Sequence, residues 1–121
     1  MPPSDERLET VRDCFRAFAT ADRDVMERVL ADDLVFSAPP DVGIDRARYF
    51  ERCWPGAGHV TDFELVRLAE IADGEVVATY HATRADGSRF RNTEVFGFAD
   101  DGRIARIEVY FGWDLDGSGS P

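Results

Sequence analysis

The sequence predicts an α+β domain in which helices close a curved, mostly antiparallel sheet around one apolar pocket. Two observations carry this. Apolar residues recur at helical spacing through the first half, then give way near residue 60 to β-branched and aromatic strand-like stretches. Three Asp-Gly steps punctuate that second half, each able to adopt the left-handed backbone that tight hairpins need. Helices gathered before a run of hairpins make α+β, not an alternating parallel fold. The 121 residues suit one domain, expected over 1–115, with 116–121 a disordered tail.

The first helix is expected over 5–21. Ser4 caps it, Asp5 and Glu6 suit its positive end, and Leu8, Val11, Phe15 and Phe18 make its apolar stripe. Asp22 or Asp24 starts a short second helix with Val25, Met26, Val29 and Leu30 inward. Leu34-Val35-Phe36 forms a short strand ended by Pro39-Pro40. Asp45 caps a third helix carrying Tyr49, Phe50, Cys53 and Trp54, stopped by Pro55-Gly56. Four strands follow over 62–72, 75–84, 89–98 and 103–113. Asp73-Gly74, Asp86-Gly87 and Asp101-Gly102 join them into a meander.

Composition narrows the function. Hydrophobic residues make up 44% of the chain, enough for a core without metal or disulfide staples. Net charge is −10, from 14 basic and 24 acidic residues, which repels nucleic-acid phosphates and anionic membranes. All basic residues are arginine, so Schiff-base, phosphate-loop and pyridoxal-anchoring lysines are excluded. Two histidines and two separated cysteines fall short of a structural zinc site, and no metal is expected. Cys14 and Cys53 read as small apolar residues in a reducing compartment. No apolar run spans a bilayer. Residues 1–6 lack the basic start and apolar stretch of a signal peptide, so the expectation is cytoplasmic.

A two-residue turn at Asp86-Gly87 would place His81 opposite Asn92, Thr79 opposite Glu94 and Val77 opposite Phe96. Directly opposed side chains share a face. The more aromatic face of the third meander strand holds Phe90, Asn92, Glu94, Phe96 and Phe98 and should look inward. The last strand turns Ala105, Ile107, Val109, Phe111 and Trp113 the same way. Glu94, Asn92 and His81 would then be polar groups on an apolar inner face, where they can satisfy one another and still address a ligand.

Several stretches carry a family resemblance. They are Ala31-Asp32-Asp33 before the short strand, Pro39-Pro40-Asp41-Val42-Gly43 before the third helix, and Thr93-Glu94-Val95-Phe96-Gly97-Phe98. The last is followed by Asp101-Gly102-Arg103-Ile104 and Ile107-Glu108-Val109-Tyr110-Phe111-Gly112. Over nearly its whole length the chain resembles the nuclear transport factor 2-like superfamily, especially its SnoaL-like, polyketide-cyclase-like and ketosteroid-isomerase-like branches. The resemblance implies a cone-shaped, cystatin-like α+β barrel, an interior pocket for a small apolar molecule, no cofactor, and a homodimer through the outer sheet. It does not imply one reaction, since the superfamily holds isomerases, cyclases, epoxide hydrolases, dehydratases and binders. Ketosteroid isomerases pair a helix-one tyrosine with a strand carboxylic acid kept neutral by its apolar site. The acid falls at Glu94, the tyrosine at Phe15 and the general-base aspartate at Ala38. Two of three roles are empty, with Asp41 near the last. Epoxide hydrolases of the superfamily pair two aspartates with an arginine; here Val109 stands where a carboxylate is needed.

The candidate catalytic residues are therefore Glu94, His81 and Asp41. Phe15, Phe18, Phe36, Tyr49, Trp54, Thr79, Asn92, Phe96, Val109, Phe111 and Trp113 are candidates for the pocket wall. The expected function is cofactor-independent acid–base catalysis on a small carbonyl-bearing substrate, of isomerase, cyclase or lyase type. The alternatives are a non-catalytic binder of a small hydrophobic molecule and a dimeric scaffold.

Overall fold

The computed structural model describes residues 4–115. The expected tail at 116–121 and the side chain of the expected cap Ser4 lie outside the described residues. Three helices, α1 (Ser4–Thr20), α2 (Arg23–Val29) and α3 (Arg46–Arg52), pack on one face of a six-stranded sheet. The strands are β1 (Leu30–Ala38), β2 (Asp41–Asp45), β3 (Val60–Glu70), β4 (Val76–Arg84), β5 (Arg89–Phe98) and β6 (Ile104–Asp114). Their order is β2-β1-β6-β5-β4-β3, and every pairing is antiparallel except that of β1 with β6. The sheet is curved, as the α+β reading expects, but unclosed, so the expected barrel is an open cone with β2 and β3 at its edges.

Local chemistry sets the helix boundaries. Asp22 caps α2 by accepting from the Val25 N–H at 3.2 Å, and Asp45 caps α3 by accepting from the Arg48 N–H at 2.9 Å. After Arg52 the chain makes a 3₁₀ turn at Trp54–Gly56, where Pro55 cannot continue the α-helical ladder. From α1, Val11, Cys14, Phe15 and Ala17 enter the core. The Phe15 ring meets those of Tyr80, Phe63 and Phe96 at centroid distances of 4.9, 5.2 and 5.8 Å. Met26, Leu30, Leu34, Ile104 and Ile107 complete the packing toward the β1–β6 seam.

The meander stands as expected, but three details differ. First, β1 runs through nine residues, and Pro39-Pro40 does not end the sheet there. It turns the chain into β2, where Ala38 faces Asp41.

Second, the β4–β5 hairpin is one residue out of the expected register. Arg84 N–H donates to Ser88 O, Gly87 N–H donates to Arg84 O, and Gly87 has φ +89°. This is a three-residue loop closed by a left-handed glycine, not a two-residue turn. His81 consequently faces Arg91, Tyr80 faces Asn92, Thr79 faces Thr93 and Ala78 faces Glu94. A one-residue slip reverses every side chain of a strand. The face of β5 is as expected, whereas β4 turns Val76, Ala78, Tyr80 and Ala82 inward.

Third, β6 is bulged at both ends. Phe98 faces Ile104 while Gly97 faces Arg106, so Ile104 is buried in place of Ala105. Asn92 faces Phe111 while Arg91 faces Trp113, so Gly112 is the extra residue and the inward alternation stops at Phe111.

Candidate functional site

A cavity of about 330 Å³ lies between the helices and the inner face of the sheet, within the range of small-molecule sites. Its lining is largely apolar and comes from α1 (Cys14, Phe15, Phe18), α2 (Met26), the β1–β2 hairpin (Phe36, Ala38, Pro40, Asp41) and α3 with its end (Tyr49, Arg52, Cys53). Across from these stand β3 (Val60, Phe63), β4 (Tyr80), β5 (Phe90, Asn92, Glu94) and β6 (Ile107, Val109, Phe111).

Glu94 is the most unusual of these residues. On β5 it stands between Ala78 of β4 and Val109 of β6, neither of which offers it a polar group. Burial pushes its pKa from 4.5 up to about 7, against the lowering effect of a side-chain hydrogen bond. That bond comes from Tyr80, whose hydroxyl donates to Glu94 Oε2 at 2.6 Å. Burial and the neighbouring Glu94 raise the Tyr80 phenol well above its usual range, so it remains a donor.

Asn92 completes the group. Its Oδ1 accepts from the Gly112 N–H at 3.1 Å, which leaves Nδ2 pointing at Tyr80 Oη, 3.5 Å away. The β6 bulge makes this possible. A Cβ on Gly112 would lie 2.2 Å from the Arg91 carbonyl oxygen, so only glycine lets the β6 backbone come this close. Chemically, Glu94, Tyr80 and Asn92 form a chain of donors ending on a carboxyl that can give or take a proton near neutral pH.

The candidates divide clearly. Glu94, Asp41, Phe15, Phe18, Phe36, Tyr49, Asn92, Val109 and Phe111 line the cavity. His81 does not. The register turns it to the face away from the helices, with Nε2 3.0 Å from Arg91 Nη1 and Nδ1 3.7 Å from Glu64 Oε1. Thr79 is on that same face, its hydroxyl 2.8 Å from that of Thr93. Trp113 follows the bulge outward, is 64% exposed, and carries the Arg91 guanidinium 5.4 Å from its ring centroid. Trp54 packs behind the wall against Phe18 and Phe50, at 6.0 and 5.8 Å. Phe96 is fully buried below Phe15.

Asp41 is reached by the Nε of Arg52 at 2.5 Å, so its carboxylate is engaged by a cation. Both cysteines are free thiols lining the cavity. Burial keeps Cys14 firmly protonated and pushes Cys53 up to about 11. No group of three or more His, Cys, Asp or Glu among the described residues could hold a metal ion. None of the described helices is long and apolar enough to cross a membrane.

Tyr80 and Arg52 are the functional candidates that sequence reasoning missed. The signal for Tyr80 lay in β4 itself, where Val76, Ala78, Tyr80 and Ala82 alternate with Val77, Thr79, His81 and Thr83. The first set is the apolar one once the phenol is counted as a ring. No local pattern marks Arg52, which reaches the cavity only because α3 ends beside the β1–β2 turn.

Fold and site together define a member of the nuclear transport factor 2-like superfamily, a curved sheet whose helices leave an acid-bearing cavity beneath them. Within it, the model of the SnoaL-like domain matches residues 11–107, and the chain belongs to that family. It is similar to an LEH-like epoxide hydrolase of M. tuberculosis, with 26% identity and a TM-score of 0.71, over 92% of this chain and 86% of that one. It is also similar to SalBIII, described as an epoxide hydrolase/cyclase-like enzyme in pyran ring formation in polyether salinomycin. There the identity is 23% and the TM-score 0.74, over 93% and 95% of the two chains. A Sinorhizobium meliloti protein described as a polyketide cyclase shares 22% identity with a TM-score of 0.71, over 89% and 99%. At such identities the last two likenesses speak for the fold alone. No curated protein matches the chain.

Proposed function

We propose that the chain is a cofactor-independent acid–base catalyst acting on a small carbonyl-bearing molecule, with Glu94 as the group that moves the proton. One observation carries the reading: a carboxyl with a pKa of about 7 opens into an apolar cavity, bonded to a phenol. As a carboxylate, Glu94 removes a proton next to the substrate carbonyl. As an acid, it returns the proton to carbon or oxygen, which suits isomerase, cyclase or lyase chemistry. Tyr80, steadied by Asn92, donates either to the carboxylate or to the oxyanion that forms when the carboxylate takes up its proton. His81 takes no part. Asp41, engaged by Arg52, leaves the proton transfer to Glu94. The aromatic wall of Phe15, Phe18, Phe36 and Phe63 holds the carbon skeleton, and the sheet face turned away from the helices carries a homodimer contact.

The test is solvent deuterium incorporation next to the carbonyl of a panel of small aryl ketones and aryl keto acids, followed by NMR. Wild type should exchange at least one of them faster than buffer, and Glu94→Gln should reduce the rate to background. Exchange that survives Glu94→Gln would refute the assignment.

A second reading is favoured by Phe15, Ala38 and Val109, which put apolar groups where relatives of this fold need polar ones. It is non-catalytic binding of a small hydrophobic molecule. It predicts ligand-induced thermal stabilisation with no exchange in any protein, wild type included.

A further inference from the structure

We propose that Arg52 selects substrates carrying a carboxylate, so that the molecule taken into this cavity is a small keto acid and not a neutral ketone. The inference rests on the reading of the cavity as a binding site with Glu94 as its reacting group, and deepens it by naming the substrate class. Arg52 is the only cation lining the cavity among the described residues. Asp41 engages its Nε at 2.5 Å, and no partner is found for its Nη nitrogens among the described residues. The forked edge of a guanidinium is the part that matches a carboxylate with two parallel hydrogen bonds. Here that edge stands unused at the rim of an otherwise apolar pocket.

The pair is built to hold the fork still. Asp41 follows Pro39-Pro40 at the start of β2, and Arg52 is the last residue of α3. The Nε contact joins the two elements. The Asp41 side chain is 16% accessible and that of Arg52 46%, so the aspartate sits deeper and the arginine faces the opening. A latch between β2 and α3 alone needs one hydrogen bond, which the Nε supplies. Asp41 also offsets the guanidinium charge, so an anion is favoured only where it reaches both Nη nitrogens. That requirement favours an anion that presents two oxygens side by side, as a carboxylate does, over a monatomic anion such as chloride. A carboxylate seated there directs the rest of a short molecule along the aromatic lining that Arg52 shares with Tyr80 and Glu94.

The experiment measures recognition without turnover. Phenylpyruvate, 3-phenylpropanoate and 4-oxo-4-phenylbutanoate are each titrated against their methyl esters by isothermal titration calorimetry. At least one acid should bind wild type roughly tenfold or more tighter than its ester, the size expected of a charge-assisted pair. Arg52→Gln should bring acid and ester to within about twofold. Glu94→Gln should keep the discrimination while abolishing exchange, so failure of the catalytic reading is distinguishable from failure of this one. Asp41→Asn, which keeps the cation and removes its competitor, should tighten the acid further and covers the case in which Arg52→Gln fails to fold. Equal affinity of acid and ester in wild type would overturn the proposal. So would discrimination that survives Arg52→Gln, weaker acid binding in Asp41→Asn, or no binding by any of the three acids.

Discussion

Burial holds the Glu94 carboxyl toward its protonated form, and ionising it costs the folded state stability. Its pKa is near 4.5 when exposed and about 7 when folded. The native chain therefore binds more protons than the unfolded chain between those values. Stability from this group is fully present below about pH 4.5 and is lost as pH rises through 7. Glu94→Gln removes the penalty. The variant should be more stable than wild type at pH 8, by on the order of 2–3 kcal/mol, with the gap closing toward pH 5. Denaturant midpoints at both pH values check this, and a gap that does not change with pH would sink it. Tyr80→Phe removes the hydrogen bond that lowers the Glu94 pKa, so the pH profile of deuterium exchange should move upward while its maximum rate falls. His81→Ala should leave the rate within about twofold, because the imidazole faces the other side of the sheet. Glu94 and Asn92 were legible from the alternation of β5 alone. His81 and Thr79 were misplaced because their face depended on a turn length that Asp86-Gly87 does not determine.

The two bulges of β6 decide which side chains reach the cavity. At Gly112 the backbone presses against the Arg91 carbonyl and its N–H fixes the Asn92 amide. Gly112→Ala forces the strands apart where the bulge needs contact. It should cost about 1–3 kcal/mol, as overpacking does, and should free Asn92. The expected result is a lower thermal midpoint and an exchange rate reduced beyond what the lost stability explains. An alanine variant as stable and active as wild type would show that the bulge does not position the amide. Helix positions were legible because Asp22 and Asp45 announce their caps and the apolar stripes repeat at helical spacing. The meander was legible from its three Asp-Gly steps. β2 was not, since this edge strand offers only Val42 and Ile44 as strand formers, and Val42 is 77% exposed. The bulges also escaped, because the extra residue of a bulge is defined by the partner strand and leaves no local mark beyond a glycine.

At the scale of the molecule, all three helices cover one face of the sheet, and among the described residues none forms a second layer on the other. That uncovered face carries Val35, Tyr110 and Trp113, exposed by 45%, 54% and 64%, among charged residues such as Arg91 and Glu108. Large apolar side chains on an uncovered sheet face are the kind that a partner surface buries. A second copy of the same face, related by a twofold axis, would bring these apolar side chains together. The wild-type protein should therefore scatter light at twice the monomer mass. Val35→Glu combined with Tyr110→Glu should restore the monomer mass and leave the stability of each protomer within about 0.5 kcal/mol, as for exposed positions generally. Each protomer carries a net charge of −10, so their mutual repulsion is long-ranged and screened by salt, whereas the apolar contact is not. Raising ionic strength should therefore tighten the dimer. Wild type at monomer mass in high salt would mean that this face is simply solvated, and dissociation by salt would mean that ion pairs hold the copies together instead of Val35, Tyr110 and Trp113.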